Sequence, residues 1–399
     1  MHHFKSTIYL LFFCLAIQSC KAQQKATTLP KIENYTKGEL LIKASLDGTT
    51  ENGVEVGKIT VDGTIHFNWQ NAIVTINEDN YYMYSIKKSA GMSFCNQKEI
   101  VQDNENAKAV KIDMLSVYKY GQVVGSLFPA TQKEIEDNSG LNRSSSLVLG
   151  STISWIYSDS DVVFNANCTV NQERENSYSF KETTTYNLHL NKGWNIVQNT
   201  LLEKEDWKNN NDQGSLPKTI SKAIVRKIPP NINWYLKYWA NDELLEIEYQ
   251  LAIQTPITKQ QYENWLPKKL GKLKRTDYEI GKTIERMPTI NNVYLLFEKG
   301  SKKIELTIVD CADNKDAAGV YTLMKDMASR DWKDETETGY STATKMDDNR
   351  VMIDFNEKEV KTTLNYNANE RFVIKAEAID VTPDELWNLL KELNLKDLK

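Results

Sequence analysis

Apolar and polar residues alternate with a period of two along most of the first 255 residues. Such alternation is typical of strands with one buried face. The turn Asp62-Gly63 lies between two such runs and predicts a tight hairpin, because both of its residues tolerate positive φ. With short strands and no helical interruption, the pattern predicts an antiparallel, β-sandwich-like region over residues 38–255. This region is either one large domain or two small ones, the division then falling near residues 130–150.

The pattern changes after residue 255. Pro256 and Pro267 bracket a short helix that Thr258 caps, and four lysines follow within residues 268–274. A basic, proline-led segment between two kinds of pattern indicates a linker over residues 256–275.

Strand and helix patterns mix over residues 276–399. Four apolar residues at helical spacing, Val320, Leu323, Met324 and Met327, predict an amphipathic helix over residues 316–328. Thr382-Pro383-Asp384-Glu385 has the N-cap, first-turn proline and acidic residue that open a helix. Alternating segments lie before and between these helices. We expect a smaller α+β domain, an antiparallel sheet with two helices, and a mainly β protein.

The chain begins with a segment typical of export. Lys5 precedes an apolar core that ends at Ile17, too short to span a bilayer. The residues Ile17-Gln18-Ser19-Cys20 resemble a bacterial lipobox, which implies a signal peptide over residues 1–19 and acylation of Cys20. The alternative is an ordinary signal cleaved nearby, with Cys20 incidental. Residues 20–37 are expected to form a flexible tether.

A second motif is Lys192-Gly193-Trp194-Asn195, which follows an alternating run. Together with the lipobox and the β-rich start, it resembles uncharacterised lipoproteins of Bacteroidota, and it implies no reaction. The residue after Cys20 is Lys21, unlike the Asp of inner-membrane retention signals, and no acidic stretch follows. The resemblance therefore implies a lipid-anchored protein of the outer membrane, on the periplasmic face rather than the cell surface.

Composition narrows the function classes. Removing residues 1–19 takes away one lysine and no acid, which leaves 48 basic against 54 acidic residues, or −6. This balance argues against nucleic acid as a partner. Beyond Cys20, the mature chain holds Cys95, Cys168 and Cys311. We expect buried free thiols, with a Cys95–Cys168 bridge as the alternative.

Few residues suggest catalysis. The mature chain has only two histidines, His66 and His189, and no metal-binding, nucleophile or nucleotide motif, so we expect no metal, no cofactor and no assigned catalytic residue. Two sets of residues could bind a ligand. Asp310, Asp313 and Asp316 follow a strand, where capping of the next helix is the competing explanation. Trp234 and Trp239 could form a platform for sugar rings or simply half-buried sheet surface.

These observations favour a non-catalytic, lipid-anchored envelope protein that contacts the membrane through its anchor and binds a partner protein or a glycan. The alternative is an envelope hydrolase that uses carboxylates, for example on glycans.

Overall fold

The computed structural model describes residues 29–44, 53–69, 83–90, 100–112, 114–135, 147–173, 179–208, 213–283 and 291–398. The protein is mainly β, as the sequence predicts. It divides into two compact units, residues 1–239 and 240–399. The predicted signal peptide, Cys20 and the start of the predicted tether lie outside the described residues.

The described part of the first unit consists almost entirely of strands, with one short α-helix, α1 (Ile86–Ser89). Its described strands are β1 (Leu40–Ala44), β2 (Val54–Ile59), β3 (Ile65–Phe67), β4 (Tyr84–Ser85), β5 (Ile100–Gln102), β6 (Lys108–Ile112), β7 (Leu115–Lys119), β8 (Gln122–Ala130), β9 (Gly150–Ser158), β10 (Val162–Glu173), β11 (Ser179–Leu190), β12 (Gly193–Lys208), β13 (Gln213–Val225) and β14 (Asn233–Tyr238).

These strands form one branched sheet. One branch runs β3-β2-β1-β7-β8 with β14 beside β8, and the other runs β9-β12-β13-β11-β10-β5 with β6 beside β9. The branches join through the single pair Ala130–Thr152, between the strands that flank residues 130–150. All pairs are antiparallel except β11 with β13. Aromatic rings from the two branches pack together: the ring centroids of Phe67 in β3 and Trp155 in β9 are 6.5 Å apart.

The Lys-Gly-Trp-Asn motif forms the tight turn between β11 and β12. Asn195 holds the turn, since its side-chain amide donates to the carbonyls of Asn191 at 2.7 Å and Gly193 at 2.9 Å. Gly193 has φ +98°, a conformation that side chains with a Cβ rarely adopt. Trp194 packs against Trp69, with ring centroids 4.8 Å apart. The motif therefore has a structural role.

The tether prediction is wrong for its last residues. The N–H of Ile32 donates to the carbonyl of Gly63 at 2.9 Å, and the N–H of Ile65 donates to Pro30 at 2.8 Å. Ile32 is buried. The segment therefore packs against the β2–β3 hairpin, because an apolar side chain anchors a stretch whose overall composition is polar.

The expectation of free thiols is wrong for Cys168, which is disulfide-bonded. Cys95, the partner of Cys168 in the bridge that the sequence leaves as the alternative, lies outside the described residues. Cys311 is free and buried, as expected.

The second unit contains a nine-stranded antiparallel sheet in the order β15-β16-β17-β18-β23-β22-β21-β20-β19. Its strands are β15 (Lys269–Leu270), β16 (Leu273–Ile280), β17 (Asn292–Lys299), β18 (Lys302–Asp310), β19 (Trp332–Thr336), β20 (Gly339–Met346), β21 (Asn349–Asn356), β22 (Lys361–Ala368) and β23 (Phe372–Ile379). Its described α-helices are α2 (Asp242–Ala252), α3 (Lys259–Trp265), α4 (Lys315–Met327) and α5 (Pro383–Leu390).

Helices cover both faces of this sheet. Tyr262 of α3 and Trp387 of α5 pack with Ile374 in the larger core. Leu251 of α2 and Tyr321 of α4 pack with Val373, the adjacent strand residue. Neighbouring residues of a strand point to opposite faces, so α3 and α5 cover one face and α2 and α4 the other. The two helices predicted for this domain are confirmed as α4 and α5, and the short helix that Thr258 caps is confirmed as α3. The described part of this unit has one further α-helix, α2.

Two predictions near the boundary between the units are wrong. Residues 244–253 alternate like a strand but form α2, which Asn241 caps by accepting from the N–H of Glu243 at 3.0 Å. The expected linker over residues 256–275 is instead part of the second unit: it holds α3 and β15, and Tyr262 and Leu270 are buried in the core. Local composition cannot reveal that these apolar residues contact distant strands.

Candidate functional site

A groove of about 580 Å³ lies on the face of the second sheet that α4 partly covers. Strands β19 to β22 form its floor, and Met327 at the end of α4 forms part of its wall. The groove is lined by Met327, Trp332, Asp334, Glu335, Thr336, Ser341, Met352, Ile353, Asp354 and Asn365. A cavity of about 230 Å³ adjoins it and shares Thr336, Ser341 and Asp354.

The strand register explains which side chains share the groove. Asp334 pairs with Ser341, and Ser341 pairs with Asp354 on the next strand. Directly paired residues point to the same face, so these three form one row across the sheet. A second row lies two residues further along the strands. In it Ala343 pairs with Trp332 on one side and with Met352 on the other.

Helix α4 leaves this part of the sheet open because its own contacts lie elsewhere. Its buried residues, such as Tyr321, pack against Val373 and Val309 near the ends of β23 and β18. Beyond the end of α4 the sheet face is exposed to solvent. All five residues of β19 are exposed, and Trp332 retains 40% of its accessible surface.

The groove carries net negative charge. Ser341 Oγ donates to Asp354 Oδ1 at 2.5 Å, which orients that carboxylate. Neither Asp334 nor Asp354 takes part in an ion pair among the described residues. The carboxylate of Glu335, by contrast, is paired with Lys333 at 2.6 Å. The groove therefore offers two carboxylates, an exposed indole ring and the apolar Met352.

Asp310, one of the residues singled out in the sequence, lies outside the groove and is fully buried. Its carboxylate accepts from Arg371 Nε at 2.7 Å and Nη2 at 2.9 Å, and from the N–H of Ile257 at 2.7 Å. Arg371 also donates to the carbonyl of Thr255 at 2.7 Å. These contacts satisfy the carboxylate internally and tie the segment before α3 to the sheet.

Asp313 and Asp316 do not converge with Asp310 on a common point. Both are exposed, and Asp313 is in a left-handed conformation with φ +51°. Asn314 caps α4 by accepting from the N–H of Ala317 at 3.0 Å, and Asp316 lies in the first turn. A negative charge there favours the helix dipole.

Cys311 and Tyr262 lie close to the Asp310–Arg371 pair. Burial, together with the negative charge of Asp310, raises the pKa of the Cys311 thiol to about 12. Burial raises the pKa of Tyr262 as well, and its hydroxyl has no hydrogen-bond partner. A thiol that stays protonated is a poor nucleophile, so this cluster is not suited to covalent catalysis.

Trp234 and Trp239 lie in different environments. Trp234 is 6% exposed and packs against Phe67, with centroids 5.0 Å apart, in the aromatic cluster of the first unit. Part of it also lines a cavity of about 330 Å³ with Lys31, Glu33, Lys133 and Tyr235. Trp239 follows β14 and is 56% exposed. Side chains an odd number of positions apart along an extended chain point to opposite faces of a sheet. The rings of Trp234 and Trp239 therefore do not form one platform.

Sequence reasoning missed the groove. Its residues come from α4 and four strands, and each polar residue resembles an ordinary solvent-facing position of an alternating strand. The available signal was Trp332, a large apolar residue at the start of an otherwise polar strand, and Met352, whose neighbour on β22 is the polar Asn365.

The described residues contain no group of three or more His, Cys, Asp or Glu side chains arranged to hold a metal ion. Within the same described ranges, no helix has the length and apolar character needed to cross a membrane. His66 and His189 are both exposed. Comparison of the chain with protein-family models, with curated proteins and with solved structures gives no match.

Proposed function

We propose that this protein is a non-catalytic binding protein of the cell envelope and that the groove of the second unit is its ligand site. The observation that carries the proposal is the groove itself: about 580 Å³ of space beside an exposed indole and two carboxylates that have no ion-pair partner among the described residues. Ligand sites in proteins are typically clefts of ~300–1,000 Å³ that combine apolar surface with a few polar groups. The ligand is a partner protein or a glycan.

The proposal includes a lipid anchor at Cys20, on the periplasmic face of the outer membrane. The lipobox and the short apolar core before it support this part. Acyl chains bind a membrane with ~0.8 kcal/mol per buried CH₂, so two or more chains would hold the protein without a spanning helix. Labelling cells with radioactive palmitate tests it: the wild type should incorporate label, and Cys20→Ala should incorporate none. Label on Cys20→Ala would refute the anchor.

A matched pair of tryptophan variants tests the binding site. Trp332 and Trp239 are both exposed, but only Trp332 lines the groove. Immobilised full-length wild type, Trp332→Ala and Trp239→Ala are each incubated with solubilised envelope, and the captured proteins and glycans are quantified by mass spectrometry. We expect Trp332→Ala to lose most of a specific ligand that the wild type and Trp239→Ala both retain. Equal capture by all three would contradict the proposed site.

One observation favours the alternative of a carboxylate hydrolase. Asp334 and Asp354 lie two strands apart, on either side of Ser341, which separates their backbones by ~9.6 Å at the usual strand spacing. Inverting glycosidases hold their two carboxyl groups about 6.5–9.5 Å apart. Incubation of wild type and Asp354→Asn with envelope glycans distinguishes the two functions. A binding protein releases no new reducing ends with either form, whereas a hydrolase releases them with the wild type only.

A further inference from the structure

The groove borders the free edge of the second sheet. Strand β19 is the last strand of that sheet among the described residues, and it pairs only with β20. From this arrangement we propose that the groove ligand is an extended, basic polypeptide segment that adds to β19 as a further strand and places cationic side chains beside Trp332 and Asp334, on the side of the groove that faces Asp354. This inference rests on the proposed function, since it names the ligand class of the same site.

The backbone of β19 has hydrogen-bonding groups available for such a strand. Thr336 pairs with Gly339 across a two-residue turn, which makes them a hydrogen-bonded pair. Hydrogen-bonded and non-hydrogen-bonded pairs alternate along an antiparallel ladder. The N–H and C=O groups of Lys333 and Glu335 therefore point away from β20, where an added strand can reach them.

The charge of the groove specifies the side chains of that strand. The alternate residues Trp332, Asp334 and Thr336 face the groove, so every second side chain of an added strand would lie next to them. An ammonium or guanidinium group there would lie next to the carboxylate of Asp334, and the carboxylate of Asp354, two strands further into the groove, would attract it at longer range. It would also lie near the face of an exposed indole, which attracts cations. An acidic segment would be repelled by the same groups.

An uncharged glycan fits this surface less well. A sugar ring would stack on Trp332, but it would not pair with the backbone N–H and C=O groups of Lys333 and Glu335 that point away from β20. The combination of a free strand edge with an acidic groove on the same strand favours a polypeptide.

The test uses the full mature chain carrying Cys20→Ala and a short, labelled synthetic peptide of alternating lysine and threonine. Affinity is measured by fluorescence anisotropy at several salt concentrations. We expect binding that weakens as salt rises, because it depends on ion pairing. The same peptide with glutamate in place of lysine should not bind. The lysine peptide with alternate amides N-methylated should also fail, because it keeps its charge but cannot complete the ladder.

Protein variants separate the two contributions. Glu335→Pro removes an outward N–H, no hydrogen bond to β20 and one carboxylate, whereas Glu335→Ala removes the same carboxylate and keeps the N–H. Relative to Glu335→Ala, Glu335→Pro should weaken the peptide by about tenfold or more, equivalent to ~1.4 kcal/mol. Asp334→Asn should weaken it by roughly three- to tenfold and Asp354→Asn by less, and both should reduce its salt dependence. Asp348→Asn, which removes an exposed acid outside the groove, should bind like the wild type.

The outcomes also distinguish this inference from the proposed function. If the lysine peptide does not bind while Trp332→Ala still loses its envelope ligand, the ligand class is wrong and the binding site stands. The same holds if an oligomer of glucosamine binds as tightly as the peptide and Glu335→Pro has no effect, because the ligand is then a cationic glycan. If Trp332→Ala also captures as the wild type does, both proposals fail.

Discussion

The carboxylate of Asp310 and the guanidinium of Arg371 form a two-pronged ion pair inside the second unit, with contacts of 2.7 Å and 2.9 Å. Asp310 is fully buried, and the Arg371 side chain is largely buried. Through Ile257 and Thr255 the pair also holds the backbone that leads into α3. Asp310, a candidate ligand residue from the sequence, therefore stabilises the fold through internal contacts.

Removing one partner of this pair should destabilise the second unit strongly. Asp310→Ala leaves the Arg371 charge without its acceptor in a mostly buried site, and breaking a buried pair in this way costs ~3–5 kcal/mol. We expect a loss of about this size in the free energy of unfolding, measured by urea denaturation monitored by circular dichroism.

Asp316→Ala is the matched control. Asp316 belongs to the same acidic cluster but is exposed in the first turn of α4, so its removal should cost ~0.5 kcal/mol or less. Similar losses for both variants would mean that the Asp310–Arg371 pair is not the source of the effect.

The second unit should lose stability in alkaline solution. Burial raises the pKa of Cys311 to about 12, and burial also raises that of Tyr321 to about 12. In the unfolded chain the thiol ionises near pH ~8.5 and the phenol near ~10. As pH rises, the unfolded state therefore loses these protons before the native state does. The contribution of the two groups to the free energy of unfolding is complete below pH ~8 and falls as pH rises towards 12.

Urea denaturation at several pH values measures this decline. Cys311→Ala should remove the part that begins near pH ~8.5, and leave the later part due to tyrosine. In the native wild type, Cys311 should resist a thiol reagent at pH ~8 and react only after unfolding. Rapid labelling of the native protein would contradict the assigned burial.

The two tryptophans singled out in the sequence should differ sharply when truncated. Trp234→Ala removes a ring packed against Phe67 and Trp155, and loss of a buried aromatic side chain costs ~3–5 kcal/mol. Trp239→Ala removes an exposed ring and should change the free energy of unfolding by ~0.5 kcal/mol or less. Urea denaturation followed by near-ultraviolet circular dichroism reports on the first unit. Equal effects would indicate that Trp239 packs as Trp234 does.

Local signals in the sequence predicted most secondary structure. The Asp62-Gly63 turn joins β2 and β3, and α5 begins where Thr382 and Pro383 predict it, with Thr382 capping the N–H of Glu385. These features depend on neighbouring residues alone. The alternation at 244–253 was misleading, because a strand pattern of apolar residues competed with a helix start at Asn241 followed by two acidic residues.

The groove and the Asp310 pair could not be predicted in this way. Asp334 and Asp354 are twenty positions apart (354 − 334) and become neighbours only through the register of β19 to β21. Arg371 reaches Asp310 across 61 positions. Nothing near Asp310 in sequence distinguishes a buried ion pair from a helix cap or a ligand site. Such pairings come from strand order, which one sequence does not specify.

The disulfide of Cys168 provides a last prediction about the first unit. Strand β10 carries Cys168, and its residue Ala166 pairs with Ile100 of β5. Ile100 is five positions after Cys95, and Ala166 is two positions before Cys168. This pairing therefore favours Cys95 as the disulfide partner of Cys168. The proposed export would place folding in an environment where such a bond persists. Peptide mapping of the unreduced protein should yield one cross-linked peptide containing both cysteines.

This bond should also contribute to stability. It would close a loop of 73 residues (168 − 95), and disulfides of this kind typically stabilise a fold by ~2–4 kcal/mol. Cys168→Ala should therefore lower the free energy of unfolding of the first unit by about that amount, whereas Cys311→Ala, in the second unit, should leave this transition unchanged. After denaturation without reductant, wild type acylated at Cys20 as proposed should expose a single reactive thiol, that of Cys311. Recovery of Cys168 in an unlinked, alkylated peptide would exclude the bond.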